Sequence, residues 1–187
     1  MKLTDKELAE LRKYRNEPDE DNVRYKQIIK KKLLANNKII YLLHNKELED
    51  EEAEADEYLN VNILPYYLIA PVQSNVQNFI CFETGFENVS RGNSVIKLQQ
   101  IIFYILCHNK DINVAELSSP RHDIIAAEIT NMFQGCNDFG TQLKLMSDKP
   151  SVTDNDYATR TLIFSQLTTN SITNENRIMS LRPGFRT

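Results

Sequence analysis

Phe79-Ile-Cys-Phe-Glu-Thr-Gly-Phe-Glu-Asn-Val89, Ser90-Arg-Gly-Asn93 and Ser94-Val-Ile-Lys-Leu-Gln-Gln-Ile-Ile-Phe-Tyr-Ile-Leu-Cys-His108 form the stretch that decides the fold. Aromatic and β-branched side chains fill both arms, and the residues between them are turn formers, so the stretch reads as a long β-hairpin. The second arm begins with alternation, Ile96, Leu98 and Ile102 lying opposite Lys97 and Gln99, and ends apolar on both faces. A strand of that kind has one face half-buried along its length and one end covered twice. Another subunit or a helix is an equally good second cover.

Downstream of the hairpin, Ser118 or Ser119 caps a helix with Pro120 in its first turn. Asp123 sits near the positive end, Ile124, Ile125, Ile129, Met132 and Phe133 are apolar, and Gly135 is the stop. Thr141–Ser147 then alternates as a short strand, residues 148–156 turn through Pro150, and Tyr157–Thr169 is a further strand carrying Leu162, Ile163, Phe164 and Leu167. Hairpin, helix and hairpin predict an α+β fold: an antiparallel sheet of about four strands with one helix on a face, preceded by N-terminal helices.

Upstream, Thr4 and Glu7 are in capping-box register for a short helix ending near Pro18. From Asp21 or Asn22, the residues Val23, Ile28, Ile29, Leu33, Leu34, Ile40, Leu42 and Leu43 form a helical apolar stripe that Asn36-Asn37 bends or splits. Lys30 to Lys32 read as a solvated face in preference to a phosphate contact. Residues 46–57 are an acidic, exposed segment; they lack the alternating oxygen ligands and central glycine of a helix-loop-helix calcium site. Residues 58–78, punctuated by Pro65 and Pro71, read as an extended connector laid against the core. One domain thus spans 1–169, with helices over 1–45 and the hairpin-helix-hairpin core over 79–169.

After Thr169 the remaining residues, 170–187, are too polar to build a core yet carry apolar anchors. Ile178, Met179, Leu181 and Phe185 are the candidate protein-contact residues, with Arg177, Arg182 and Arg186 available to a partner's acids.

At 187 residues and a net charge of −4, the chain is long enough for an unstapled core and has no basic excess to recruit nucleic acid. Cys81, Cys107 and Cys136 are odd in number and widely spaced, which suits synthesis in a reducing cytoplasm. The start, Met1-Lys-Leu-Thr-Asp-Lys-Glu, is not of signal-peptide type, and no apolar run approaches the roughly 20 residues that cross a bilayer. No membrane association is therefore expected.

Chemistry has few carriers here. With five glycines there is no phosphate-cradling loop and no serine elbow, and no paired-cysteine zinc motif occurs. Cys107 and His108 are adjacent on a strand and so point to opposite faces, and His122 lies where a helix dipole opposes its charging. Glu83, Glu87 and Lys97 are the one set with the residue types of a metal-dependent nuclease; a solvated sheet face gives the same pattern. No catalytic, metal or cofactor residue is assigned. A small cytoplasmic adaptor is the remaining alternative.

The order of elements carries a resemblance. Leu33-Leu34 and Ile39 to Leu43, then Leu64-Pro-Tyr-Tyr-Leu-Ile-Ala-Pro71, the long hairpin, Ser119-Pro-Arg-His-Asp-Ile-Ile125 and Tyr157-Ala-Thr-Arg-Thr-Leu-Ile-Phe164 together resemble tail terminator and tail-completion (neck) proteins of tailed bacteriophages. The likeness covers residues 22–169 and lies in order and spacing; the acidic segment and the C-terminal tail depart from it. It implies a non-enzymatic virion protein forming a ring, commonly a hexamer, that terminates the tail tube and joins it to the head connector. Its partners would be itself, the tail tube and the connector, with DNA only passing through the lumen.

Overall fold

The computed structural model describes residues 3–16, 21–67, 76–90, 93–154 and 156–169. Thr4 and Glu7 close the expected capping box, Thr4 N donating to the Glu7 carboxylate at 2.7 Å and Glu7 N to Thr4 Oγ1 at 3.3 Å. They start helix α1 (Asp5–Asn16), whose Leu8 and Leu11 remain exposed. Helix α2 (Asp21–Leu34) and helix α3 (Asn37–Leu43) carry the predicted stripe, and the Asn pair splits it. Asn36 Oδ1 accepts from the Lys38 and Ile39 amides, while its side-chain amide reaches Glu128 at 3.0 Å. Asn36→Ala should therefore cost about 1 kcal/mol, a typical N-cap loss, read as a lower urea midpoint at unchanged m-value.

The acidic segment folds into helix α4 (Lys46–Asp50) and a 3-10 turn (Ala55–Tyr58), its carboxylates solvated and Tyr58 buried. Strand β1 (Ile63–Leu64) follows and pairs parallel with β2 (Phe79–Ser90). β2 pairs antiparallel with β3 (Asn93–His108), as the opening stretch predicts. A small ribbon of β4 (Asn113–Val114) and β5 (Ser119–Pro120) leads into helix α5 (Arg121–Phe133), and β6 (Lys144–Asp154) and β7 (Tyr157–Thr169) complete the chain's sheet. The sheet order is β1-β2-β3-β7-β6.

Four expectations need correction. The sheet has five strands, since the connector contributes β1, and that edge pairing is parallel. The helix cap is Pro120: Ser119 is taken by the β4–β5 ribbon, and Ser118 has φ +51° in a turn. Residues 148–154 continue strand β6 through Pro150. β6 is an edge strand, whose outward side needs no amide donor, so proline is accommodated there. Finally, three helices cover one face of the sheet where a single one is expected: α2, α3 and α5 all contribute to a core with Ile80, Phe82, Phe103 and Phe164.

That core centres on Phe103, whose ring lies 5.0 Å from Phe133, 5.9 Å from Phe164 and 6.2 Å from Phe82. Tyr25 closes one end of it, stacking edge-on to Phe139 at 5.2 Å and donating its hydroxyl to the Phe139 carbonyl at 2.5 Å. At the opposite end Asp111 gathers a buried network. It pairs with Arg121 at 3.0 Å and His44 Nδ1 at 2.9 Å and accepts from Asn78 at 2.7 Å. Arg121 Nη1 also donates to the Leu42 carbonyl and Nε to the Asp111 carbonyl, which ties α3, α5 and β3's exit together.

Candidate functional site: an open sheet face

Successive residues of a strand alternate between faces, so the register defines both surfaces of the sheet. On β3, the odd-numbered residues from Lys97 to Cys107 face the helices, and the even-numbered residues from Ile96 to His108 face away. This reverses the expected burial. Lys97 and Gln99 are fully buried, whereas Ile96 is 38% exposed. For Gln99 the reason lies in α2, whose Asn22 reaches it at this end of the helical face. Gln99 Nε2 donates to Asn22 Oδ1 at 3.0 Å, Gln166 Nε2 donates to the Phe139 carbonyl at 2.7 Å, and the Lys97 ammonium sits 4.9 Å from the Phe86 ring centre.

The apolar residues displaced to the other face line up across strands. Ile102 is the register partner of Ile163, and Leu98 of Leu167, giving two apolar cross-strand pairs with Ile96 beyond them. Leu167 is 56% exposed, and Met146, the extra residue of the bulge in β6, is 65% exposed. Glu83 and Glu87 on β2 flank the stripe on one side, as partners of Ile102 and Leu98. Lys144 and Lys149 flank it on β6. Gln100 and Ser165 stand between the two pairs, so the stripe is apolar in two patches with charged margins.

At the other end this face is closed by the chain's own residues. Leu64, Phe79, Cys81, Leu106 and Tyr157 form a second buried cluster, and Tyr104 stacks on Tyr67 at 4.5 Å. The doubly apolar end of β3 is therefore buried on both faces, as its sequence predicts, with Tyr67 of the same chain lying against the outer one.

The candidate chemical groups do not converge. Glu83 and Glu87 lie on the open face, but Lys97 is buried on the opposite one, so the acid-acid-lysine site of a nuclease is not formed. Glu83 is already engaged, by the Lys26 ammonium at 2.6 Å and the Tyr67 amide at 3.2 Å. Cys107 and His108 point to opposite faces. Burial pushes the Cys107 thiol far above its ordinary pKa, and His108 packs edge-on to Tyr157 at 5.2 Å. His122 is partly buried, which disfavours its charged form despite Asp123 beside it. The tail residues Arg177, Ile178, Met179, Leu181, Arg182, Phe185 and Arg186 lie outside the described residues.

Sequence reading missed the Asp111 network. Burial alone would raise the Asp111 carboxyl, but hydrogen bonds from His44 and Asn78 and the Arg121 charge outweigh it and hold the pKa below the ordinary carboxylate range. His44 and Asp111 border a cavity of about 400 Å³ with Lys46, Gln77 and Lys110. The pair has the form of a base and its orienting acid, yet among the described residues the lining contains no hydroxyl or thiol to activate. The network's partners are 10 to 79 residues apart in sequence, and His44 is marked only by its left-handed φ of +47°, a conformational signal visible after folding.

Fold and surface together define a one-sided α+β scaffold: helices on one face of a mixed sheet, an apolar strip with charged margins on the other. The chain belongs to the YomW family, whose family model matches residues 36–166, from the cap of α3 into β7. That family takes its name from the Bacillus phage SPBc2, and the chain is accordingly a phage-associated protein. No curated protein matches it.

Proposed function

We propose that this phage-associated protein is a structural subunit of the virion neck or tail, assembling as a ring that ends the tail tube and joins it to the head connector. The observation that carries this reading is the open sheet face, at one end of which Lys97, Gln99 and Gln166 are turned inward while Ile96 and Leu167 are left outward and exposed. Such an arrangement is costly for an isolated chain and is relieved when another protein surface covers the strip. The mechanism is binding: the helical layer supplies rigidity, and the sheet face and terminal segments supply contacts to neighbouring subunits, to the tube and to the connector. Oligomers of one chain are commonly closed and symmetric, which fits a ring of this kind.

Light scattering on the full chain, with electron microscopy of the purified particle, tests it. A closed multimer with a central opening is the expected result, and removal of residues 170–187 should leave the domain folded but lower the assembly state. A monomer at all concentrations would favour the adaptor reading instead.

A further inference from the structure

We infer that the open sheet face is the acceptor for residues 170–187 of a second copy of this chain, an exchange that rests on the ring reading above and supplies its subunit contact. Three observations converge on it. The strip, with Ile96 and Leu167 exposed and Leu98, Ile102 and Ile163 half-buried, lies at the end of the sheet where β7 finishes at Thr169, the register partner of Ile96. From that point 18 residues continue. At about 3.3 Å per extended residue they reach roughly 60 Å, more than the length of β3.

Composition supplies the second argument. Ile172, Ile178, Met179, Leu181 and Phe185 give the segment apolar side chains at intervals, and between them stand three arginines against one glutamate, in a chain of net charge −4. The strip offers the complementary chemistry: apolar pairs in the middle, with the Glu87 carboxylate exposed on the β2 margin. Lys144 and Lys149 on the far margin set a preferred direction, since arginines crowded there would meet like charge.

Direction supplies the third. β7 ends at Thr169 beside Ile96, so the segment starts from the strip's end of the sheet, and the ring reading above supplies the neighbour whose strip it would reach. Exchange in one direction around a ring lets every subunit donate one segment and accept one, and the contact closes without a two-fold axis.

A complementation experiment decides it. One variant ends at Thr169 and keeps the face; the other, Ile96→Asp with Leu167→Asp, keeps residues 170–187 and loses the strip. Both substitutions are at exposed positions, and circular dichroism with thermal melting checks that each variant folds. Each alone should be monomeric, and an equimolar mixture should yield a one-to-one pair of twice the monomer mass, because a single productive interface remains. If the mixture stays monomeric while the full chain still assembles, the acceptor is elsewhere and only this inference fails. If the full chain is itself monomeric, the ring reading fails with it.

Discussion

Asp111→Ala should lower the unfolding free energy by about 3 kcal/mol, seen as a large fall in the urea midpoint. Arg121 is the reason. Its side chain is only 5% exposed, and Asp111 is the carboxylate that faces it, at 3.0 Å. Removing one partner of such a buried pair leaves the other charge uncompensated, typically at ~3–5 kcal/mol. The lower figure applies because Arg121 keeps the carbonyls of Leu42 and Asp111 as acceptors. Asn78 and His44 lose a partner as well, which prevents the cost from falling further. A double substitution with Arg121→Met should cost less than the two single changes added together, since the stranded charge is then absent.

The same carboxyl gives the protein a defined acid limb. Its folded pKa lies below the ordinary value, so the folded state favours the ionised form. That contribution is fully present above the unfolded-state pKa and disappears as pH falls through the lower folded value, that is, below about pH 4. The wild-type chain should thus lose stability across that interval, and Asp111→Ala should lose correspondingly less of it. Equal slopes in the two proteins would exclude Asp111 as a contributor.

Phe103→Ala is the second large effect, at about 3–5 kcal/mol, the usual cost of emptying a buried aromatic site. Phe103 is fully buried, and its ring meets those of Phe82, Phe133 and Phe164 from three elements, so no single neighbour can move in to fill the space. For a domain whose total stability is of order 5–15 kcal/mol, this is enough to shift the thermal midpoint by many degrees. Its sequence neighbour Ile102 faces the opposite surface, where a polar substitution should disturb association and leave folding nearly unchanged. The two adjacent positions therefore separate stability from assembly. A variant at Ile102 that melts as early as Phe103→Ala would show that the outer strip is part of the folding core.

The fold was legible in the sequence wherever a local rule sufficed. The hairpin of β2 and β3 follows from two β-rich arms around a turn, the capping box of Thr4 and Glu7 from a three-residue spacing, and the break at Asn36 from the capping chemistry of asparagine. The strand β7 and the helix α5 are likewise written in their periodicity. β1 was harder, since two residues between prolines and polar neighbours carry too little pattern to distinguish an edge strand from an extended connector.

What the sequence by itself determined is which residues share a face: Ile96, Leu98 and Ile102 on one side of β3, Lys97 and Gln99 on the other. Only the tertiary structure decided which of those faces is inside. Alternation has no sign; the helices α2, α3 and α5 supply it by settling on the side of Phe103, and α2 extends far enough for Asn22 to reach Gln99 as well. The hydrogen-bonding and cation-π partners of those polar groups come from Asn22 and Phe86, distant in sequence from one or both of them, so the burial of a lysine and a glutamine could not be read locally. The same choice left the apolar strip outward, and with it the surface on which the proposed assembly rests.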